Sequence, residues 1–179
     1  LEIIKKYELV KTSRDRDKIL FNMAYNFSER GDFKRAIELY VECLESTKTD
    51  DNILLEAKCL NNIGQIKIIL DEYDEAKELI MQSLNIYRES GIRIGDAESL
   101  GNLSQIVYFN EGDIELAISL LKESLDIDRK ICNKLGQAKT LNNLRSIYED
   151  NRDIENTRKY ERFLDDILTE LGLTIDNIS

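Results

Sequence analysis

The sequence predicts an all-α chain built from repeated antiparallel helix pairs, and three observations carry that expectation. Proline is absent and only eight glycines occur in 179 residues, so helix interiors run unbroken and a turn-rich sandwich or barrel is a poor fit. Apolar residues make up 42% but aromatics only 7%, which calls for an aliphatic core. The chain also repeats itself: Leu20, Leu60, Leu100 and Leu141 recur at spacings of 40, 40 and 41 residues, followed three positions later by Met23, Ile63, Leu103 and Leu144.

Taken in order, residues 1–12 read as the second helix of a preceding pair, because one period sets Ile4 against Leu44, Leu84 and Leu125, and Tyr7 against Tyr87. Its first helix would lie upstream, so the chain is expected to be part of a longer protein, in keeping with Leu1 at the start; a solvated amino-terminal cap is the alternative. Full repeats follow at 17–47, 55–91 and 96–133, then a degenerate fourth with its cap at 137–171 and a tail at 172–179. All of 1–179 is read as one repeat domain.

Within each repeat the first helix carries a small residue at Ala24, Gly64 and Ser104, replaced by Arg145 in the fourth. The second carries Ala36, Ala76 and Ala117, replaced by Thr157. Small side chains at fixed places mark close helix contacts. Between the two columns stand Gly31-Asp32-Phe33, Asp71-Glu72-Tyr73, Gly112-Asp113-Ile114 and Arg152-Asp153-Ile154, turns with an acidic residue poised at a helix start. In the second repeat Leu60, Ile63, Gly64, Lys67 and Leu70 form one stripe, and Tyr73, Ala76, Ile80, Ser83, Leu84 and Tyr87 the other. One helical hairpin cannot bury both, so units must stack on a shared core. In the last helix Tyr160, Phe163, Leu164, Ile167, Leu168 and Leu171 make an apolar face before Gly172, a C-cap candidate. That stripe is broad enough to predict a weak homodimer through the C-terminal helix, or cover by Leu173, Ile175 and Ile178.

This pattern resembles the tetratricopeptide repeat over residues 17–165. The second-helix signature reads Ala36, Tyr40, Cys43, then Ala76, Ile80, Ser83, then Ala117, Leu121, Ser124, and decays to Thr157, Glu161, Leu164. The period is 40 to 41 rather than the family's usual 34, the family's terminal proline is missing, and Lys67 replaces the aromatic present at Phe27 and Tyr148. The long period resembles kinesin light chain, cell-polarity adaptors and bacterial peptide-pheromone receptors. The resemblance implies a right-handed superhelical solenoid of antiparallel helix pairs whose concave face binds protein or peptide.

One column is polar and unvaried in mid-helix: Asn22, Asn62, Asn102 and Asn143. Asparagine is a mediocre helix former, so packing alone would not choose it. An amide both donates and accepts, and can pair with an extended peptide backbone whatever its side chains. With helices about 8–10 Å apart and about 3.3 Å per extended residue, four such rungs would hold roughly nine or ten residues. In the long-period relatives, the resemblance implies, asparagines at this place contact bound peptide. The other reading is that these amides bond between neighbouring helices, or repeat only through duplication. One turn earlier stand Lys18, Lys58, Glu98 and Lys139, and one turn later Tyr25, Gln65, Gln105 and Ser146; the lysines suit a ligand carboxylate or are simply solvated. Ile69, Tyr108 and Phe109 further along either receive apolar side chains or complete the core.

Composition narrows the function. A formal charge of -10 opposes direct nucleic-acid binding, and without histidine the chain lacks Ser-His-Asp and Cys-His nucleophiles and histidine metal sites. Asp50-Asp51 and Asp165-Asp166 flank helix ends, as solvating or capping residues do, and no G-x-G-x-x-G, phosphate loop or calcium loop occurs. Cys43, Cys59 and Cys132 form no C-x-x-C pair and read as reduced core thiols of a cytoplasmic protein, and no stretch approaches the roughly 20 apolar residues of a membrane span. The expectation is a non-enzymatic peptide- or protein-binding scaffold without metal or cofactor. Alternatives are an oligomerisation module, or the sensor domain of a larger transcription regulator.

Overall fold

The computed structural model describes residues 13–50 and 52–178, so the expected helix over 1–12 lies outside the described residues. The helices are α1 (Ser13–Glu29), α2 (Phe33–Asp50), α3 (Ile53–Ile69), α4 (Tyr73–Glu89), α5 (Arg93–Ile106), α6 (Ile114–Lys130), α7 (Lys134–Asp150) and α8 (Ile154–Leu171), with a π-helical segment at Val107–Glu111 and a short 3-10 turn at Ile175–Asn177. No strand occurs among the described residues. The chain divides into two compact units, Leu1–Ile86 and Tyr87–Ser179, with the boundary inside α4.

Six connections share one device, a left-handed residue two places after the last helical residue, or directly after the π segment. Gly31, Gly91 and Gly112 fill it at no steric cost, whereas Asp71, Cys132 and Arg152 hold φ near 59°, 57° and 59°. Next comes the cap: Asp32, Asp113 and Asp153 accept from the amides of Arg35, Leu116 and Asn156 at 3.4, 2.9 and 3.1 Å. Glu72 instead takes the ammonium of Lys67, which also reaches Glu75 at 2.7 Å. These two hydrogen bonds push the Lys67 pKa up and occupy the lysine standing in the aromatic column. Two sequence expectations change here. Leu70 is no stripe residue but the C-cap of α3, 41% exposed, while Ile66 and Ile68 are buried. Cys132 is not a core thiol: it sits exposed in the turn after α6, where Gly91 stands in the preceding connection.

In the first unit the core is Leu20, Ala24, Ala36, Tyr40, Cys43, Cys59, Ile63 and Ile66. Gly64 lies so close to α4 that a Cβ there would stand 2.5 Å from Cγ1 of Ile80. The small column of the second helices works as a clasp. Ser83 Oγ donates to the Ala57 carbonyl at 2.8 Å, and Cys43 Sγ makes the corresponding longer contact to the Asp17 carbonyl at 3.7 Å. In the second unit Ser124 Oγ donates to the Ala97 carbonyl at 2.8 Å, whereas Leu164 in the fourth repeat has no donor to offer.

The second unit's core runs from Val107 through Ala117, Leu121, Leu141 and Leu144 to Tyr160, Leu164, Leu168 and Ile178. Leu168 and Ile178 share that cluster, so the tail folds back and covers an edge of the α8 stripe; Phe163 stays exposed. Gly95 and Gly136 admit their neighbours closely, since a Cβ would stand 2.4 Å from the Tyr87 ring and 2.4 Å from Asp128 Oδ2 respectively. Asp128 is buried, accepts from Asn133 Nδ2 at 2.8 Å, and has its pKa raised by burial, opposed by that hydrogen bond.

The π segment resolves the uneven spacing. From Leu100 to Gly112 the chain advances 12 residues, against 11 from Leu20 to Gly31, Leu60 to Asp71 and Leu141 to Arg152. The amides of Asp32, Glu72 and Asp153 reach back five residues to Phe27, Lys67 and Tyr148, each at 2.9 Å, while Asp113 reaches back six, to Val107 at 3.3 Å. The π turn absorbs the extra residue without breaking the helix.

Candidate functional site

Each asparagine of the column stands two residues past a buried leucine, Leu20, Leu60, Leu100 or Leu141, and that leucine sets the helix face on which the amide stands. In the first unit Lys18, Asn22 and Tyr25 lie exposed along α1, and α3 presents exposed Lys58, half-buried Asn62 and exposed Gln65. In the second unit α5 presents Asn102 and half-buried Gln105, and α7 presents exposed Lys139 with half-buried Asn143 and Ser146.

The members of the column differ in their hydrogen bonding. No side-chain hydrogen bond or ion pair is made among the described residues by Asn22, Asn62 or Asn143, nor by Lys18, Lys58, Lys139, Tyr25, Gln65 or Gln105. Of the asparagines elsewhere, Asn133 and Asn52 cap helices, Asn151 donates to the Ile147 carbonyl and Asn156 donates to Asp153, while exposed Asn85 and Asn110 make no side-chain hydrogen bond among the described residues. Asn102 departs from its column, being only 8% exposed and already interacting within the protein. Three of the four rungs thus present amides with unused donors and acceptors.

Two positions off the column take partners within the fold. Arg145 occupies a column of small residues and forks onto the Asn142 amide oxygen, from Nε at 3.4 Å and Nη2 at 3.2 Å, while Nη1 meets Glu149 at 2.6 Å. This turns the Asn142 NH2 into the available half of that amide. Tyr108 was left open between ligand contact and core: its ring packs on the second unit's cluster and its hydroxyl donates to Asp150 Oδ2 at 3.0 Å, with burial and then that bond raising its pKa. Ile69 and Phe109 are exposed. No group of three His, Cys, Asp or Glu side chains is placed to hold a metal ion among the described residues, and no described helix is long and apolar enough to cross a membrane.

A repeating helix pair with small residues at the crossings and a polar column on the first helix defines a class of helical-repeat proteins. Tetratricopeptide repeat profiles match residues 19–54 and 55–130, together well over half the chain. The chain belongs to the tetratricopeptide repeat family. No curated protein matches it in sequence. Among solved structures it is similar to aspartyl phosphate phosphatase F from Bacillus subtilis (TM-score 0.84, 12% identity, covering 94% of this chain and 44% of that one). It is also similar to a Rap protein complexed with competence and sporulation factor (0.65, 17%, 96% and 57%). A third likeness is to a putative kinesin light chain of Podosopora anserina with nearly identical TPR-like repeats (0.65, 15%, 95% and 83%). The chain spans about half the length of the first two. At these identities the likeness to the kinesin light chain and Rap structures is one of fold.

Proposed function

We propose that this chain is a non-catalytic, cytoplasmic scaffold that holds an extended peptide or partner segment against the asparagine-bearing faces of the first helices within its units. The observation that carries this reading is the set of unengaged amides at Asn22, Asn62 and Asn143. Amides with free donors and acceptors, half-buried at Asn62 and Asn143 and exposed at Asn22, gain most from a ligand that brings both, as an extended backbone does. Unpaired Lys18, Lys58 and Lys139 beside them favour a ligand carboxylate. That a Rap protein of the same fold is found complexed with competence and sporulation factor supports a binding role. The phosphatase among the neighbours matches at 12% identity, a likeness of fold. A second reading, the sensor part of a larger regulator, is favoured by the chain spanning 44% and 57% of two neighbours.

The experiment is a decapeptide array probed with the wild type, Asn62→Ala and Asn143→Ala. Each substitution removes about 1 kcal/mol of hydrogen bonding, so affinity for the bound peptides falls roughly fivefold or more while the thermal midpoint stays put. Unchanged affinity in both variants would make the column structural and overturn the reading.

A further inference from the structure

The single inserted residue of the third repeat has a consequence for the chemistry of the face. Counted back from its turn, Tyr108 falls in the column of Phe27, Lys67 and Tyr148 and takes the core place of an aromatic there. The π turn then leaves a second aromatic, Phe109, directly after it. Phe109 is 62% exposed, yet it is not loose: its ring meets Tyr108 edge-on with centroids 5.1 Å apart, and Tyr108 is pinned by Asp150. By helical spacing Phe109 follows Asn102 by seven residues and Gln105 by four, along the same strip. Two carboxylates belong to the same segment: Asp150 is joined to Tyr108 by that hydrogen bond, and Asp113 follows Phe109 by four residues, past the π turn. Both are engaged by neutral donors, the Tyr108 hydroxyl and the Leu116 amide, and neither is ion-paired among the described residues.

We infer that Phe109 is a specificity-determining anchor: it receives a bulky apolar side chain of a bound peptide, and a lysine or arginine next to that side chain faces Asp113 and Asp150. An exposed ring held by its neighbour offers apolar area at little ordering cost, and carboxylates of the same segment without an ion-pair partner favour a cationic flank over an anionic one. The chemistry differs from that of the amide column, which takes backbone without regard to side chain. The inference rests on the peptide-binding reading and adds the side-chain preference to it.

The test uses fluorescein-labelled decapeptides of glycine and serine with a central Lys-Phe-Lys, Lys-Ala-Lys or Glu-Phe-Glu, titrated by anisotropy. Wild type is expected to bind the Lys-Phe-Lys peptide at least tenfold more tightly than the other two. Phe109→Ala, at an exposed position, brings that peptide to the Lys-Ala-Lys level and leaves the Lys-Ala-Lys peptide unchanged. Asn143→Ala weakens Lys-Phe-Lys and Lys-Ala-Lys by the same factor. A wild type without preference, including one that binds none of the three, overturns the anchor, as does a preference that survives in Phe109→Ala. If instead Asn143→Ala changes nothing while Phe109→Ala abolishes the preference, backbone capture fails and the anchor stands.

Discussion

Replacing Gly64 with alanine puts a methyl carbon 2.5 Å from Cγ1 and 3.1 Å from Cδ1 of Ile80, with the Ala76 carbonyl oxygen at 3.4 Å. Ile80 is fully buried, and Cγ1 sits next to its branch point, so relief requires a χ1 change against packed neighbours or a shift of α4. Such overpacking costs about 1–3 kcal/mol, from which the better helix propensity of alanine recovers about 1 kcal/mol. Gly101 supplies the control. It too lies inside a helix, but a Cβ there meets nothing within 4 Å, so Gly101→Ala gains about 1 kcal/mol with no packing cost. The two variants should therefore differ by about 1–3 kcal/mol, with Gly64→Ala the weaker, a contrast in which the propensity gain cancels. Urea unfolding followed by circular dichroism measures it, with equal m-values confirming that unfolding exposes the same surface. Equal midpoints for the two variants would refute the close approach of α3 and α4 at Gly64.

Asp17 stands in the column of Ala57, Ala97 and Ala138, wholly buried with neither carboxylate oxygen hydrogen-bonded; Asp17→Ala should stabilise by about 1–3 kcal/mol, and a lower melting midpoint would refute the burial penalty. Burial raises the Asp128 pKa, so the folded state binds a proton that the unfolded state has released; stability is full below the unfolded value of about 4 and is lost as pH rises through the folded one. Urea midpoints from pH 4 to 7 should fall for the wild type and fall less for Asp128→Asn. A chain ending at Gly172 uncovers Leu168, so sedimentation should show it self-associating at lower concentration than the full chain; identical behaviour refutes cover by the tail.

The repeat columns determined the helix pairs before any coordinates, because a chain of leucine, small-residue and turn positions at a fixed period has one way to bury both stripes of each hairpin. Ala36, Ala76 and Ala117 are buried at crossings for that reason, and Asp32, Asp113 and Asp153 cap because local hydrogen bonding decides a helix start. The asparagine column was equally plain in the sequence, but its meaning was not, since an unvaried amide looks the same bonded or free. Tertiary structure separates the members of the column: Asn22, Asn62 and Asn143 make no side-chain hydrogen bond among the described residues, while Asn102, the same residue in the same column, is buried and engaged. It also decided where the extra residue of the third repeat goes. A 41-residue interval announces an insertion, but only the backbone energetics of a packed helix choose to widen one turn at Val107–Glu111 rather than lengthen a loop. Cys132 shows the same limit from the other side. Without a C-x-x-C partner it reads as a core thiol, yet the helix ends at Lys130, two residues before it, and a left-handed turn carries the thiol to solvent. Periodicity fixes which face a residue shares along a helix, whereas what covers that face depends on side chains distant in sequence, and those are brought together only by packing.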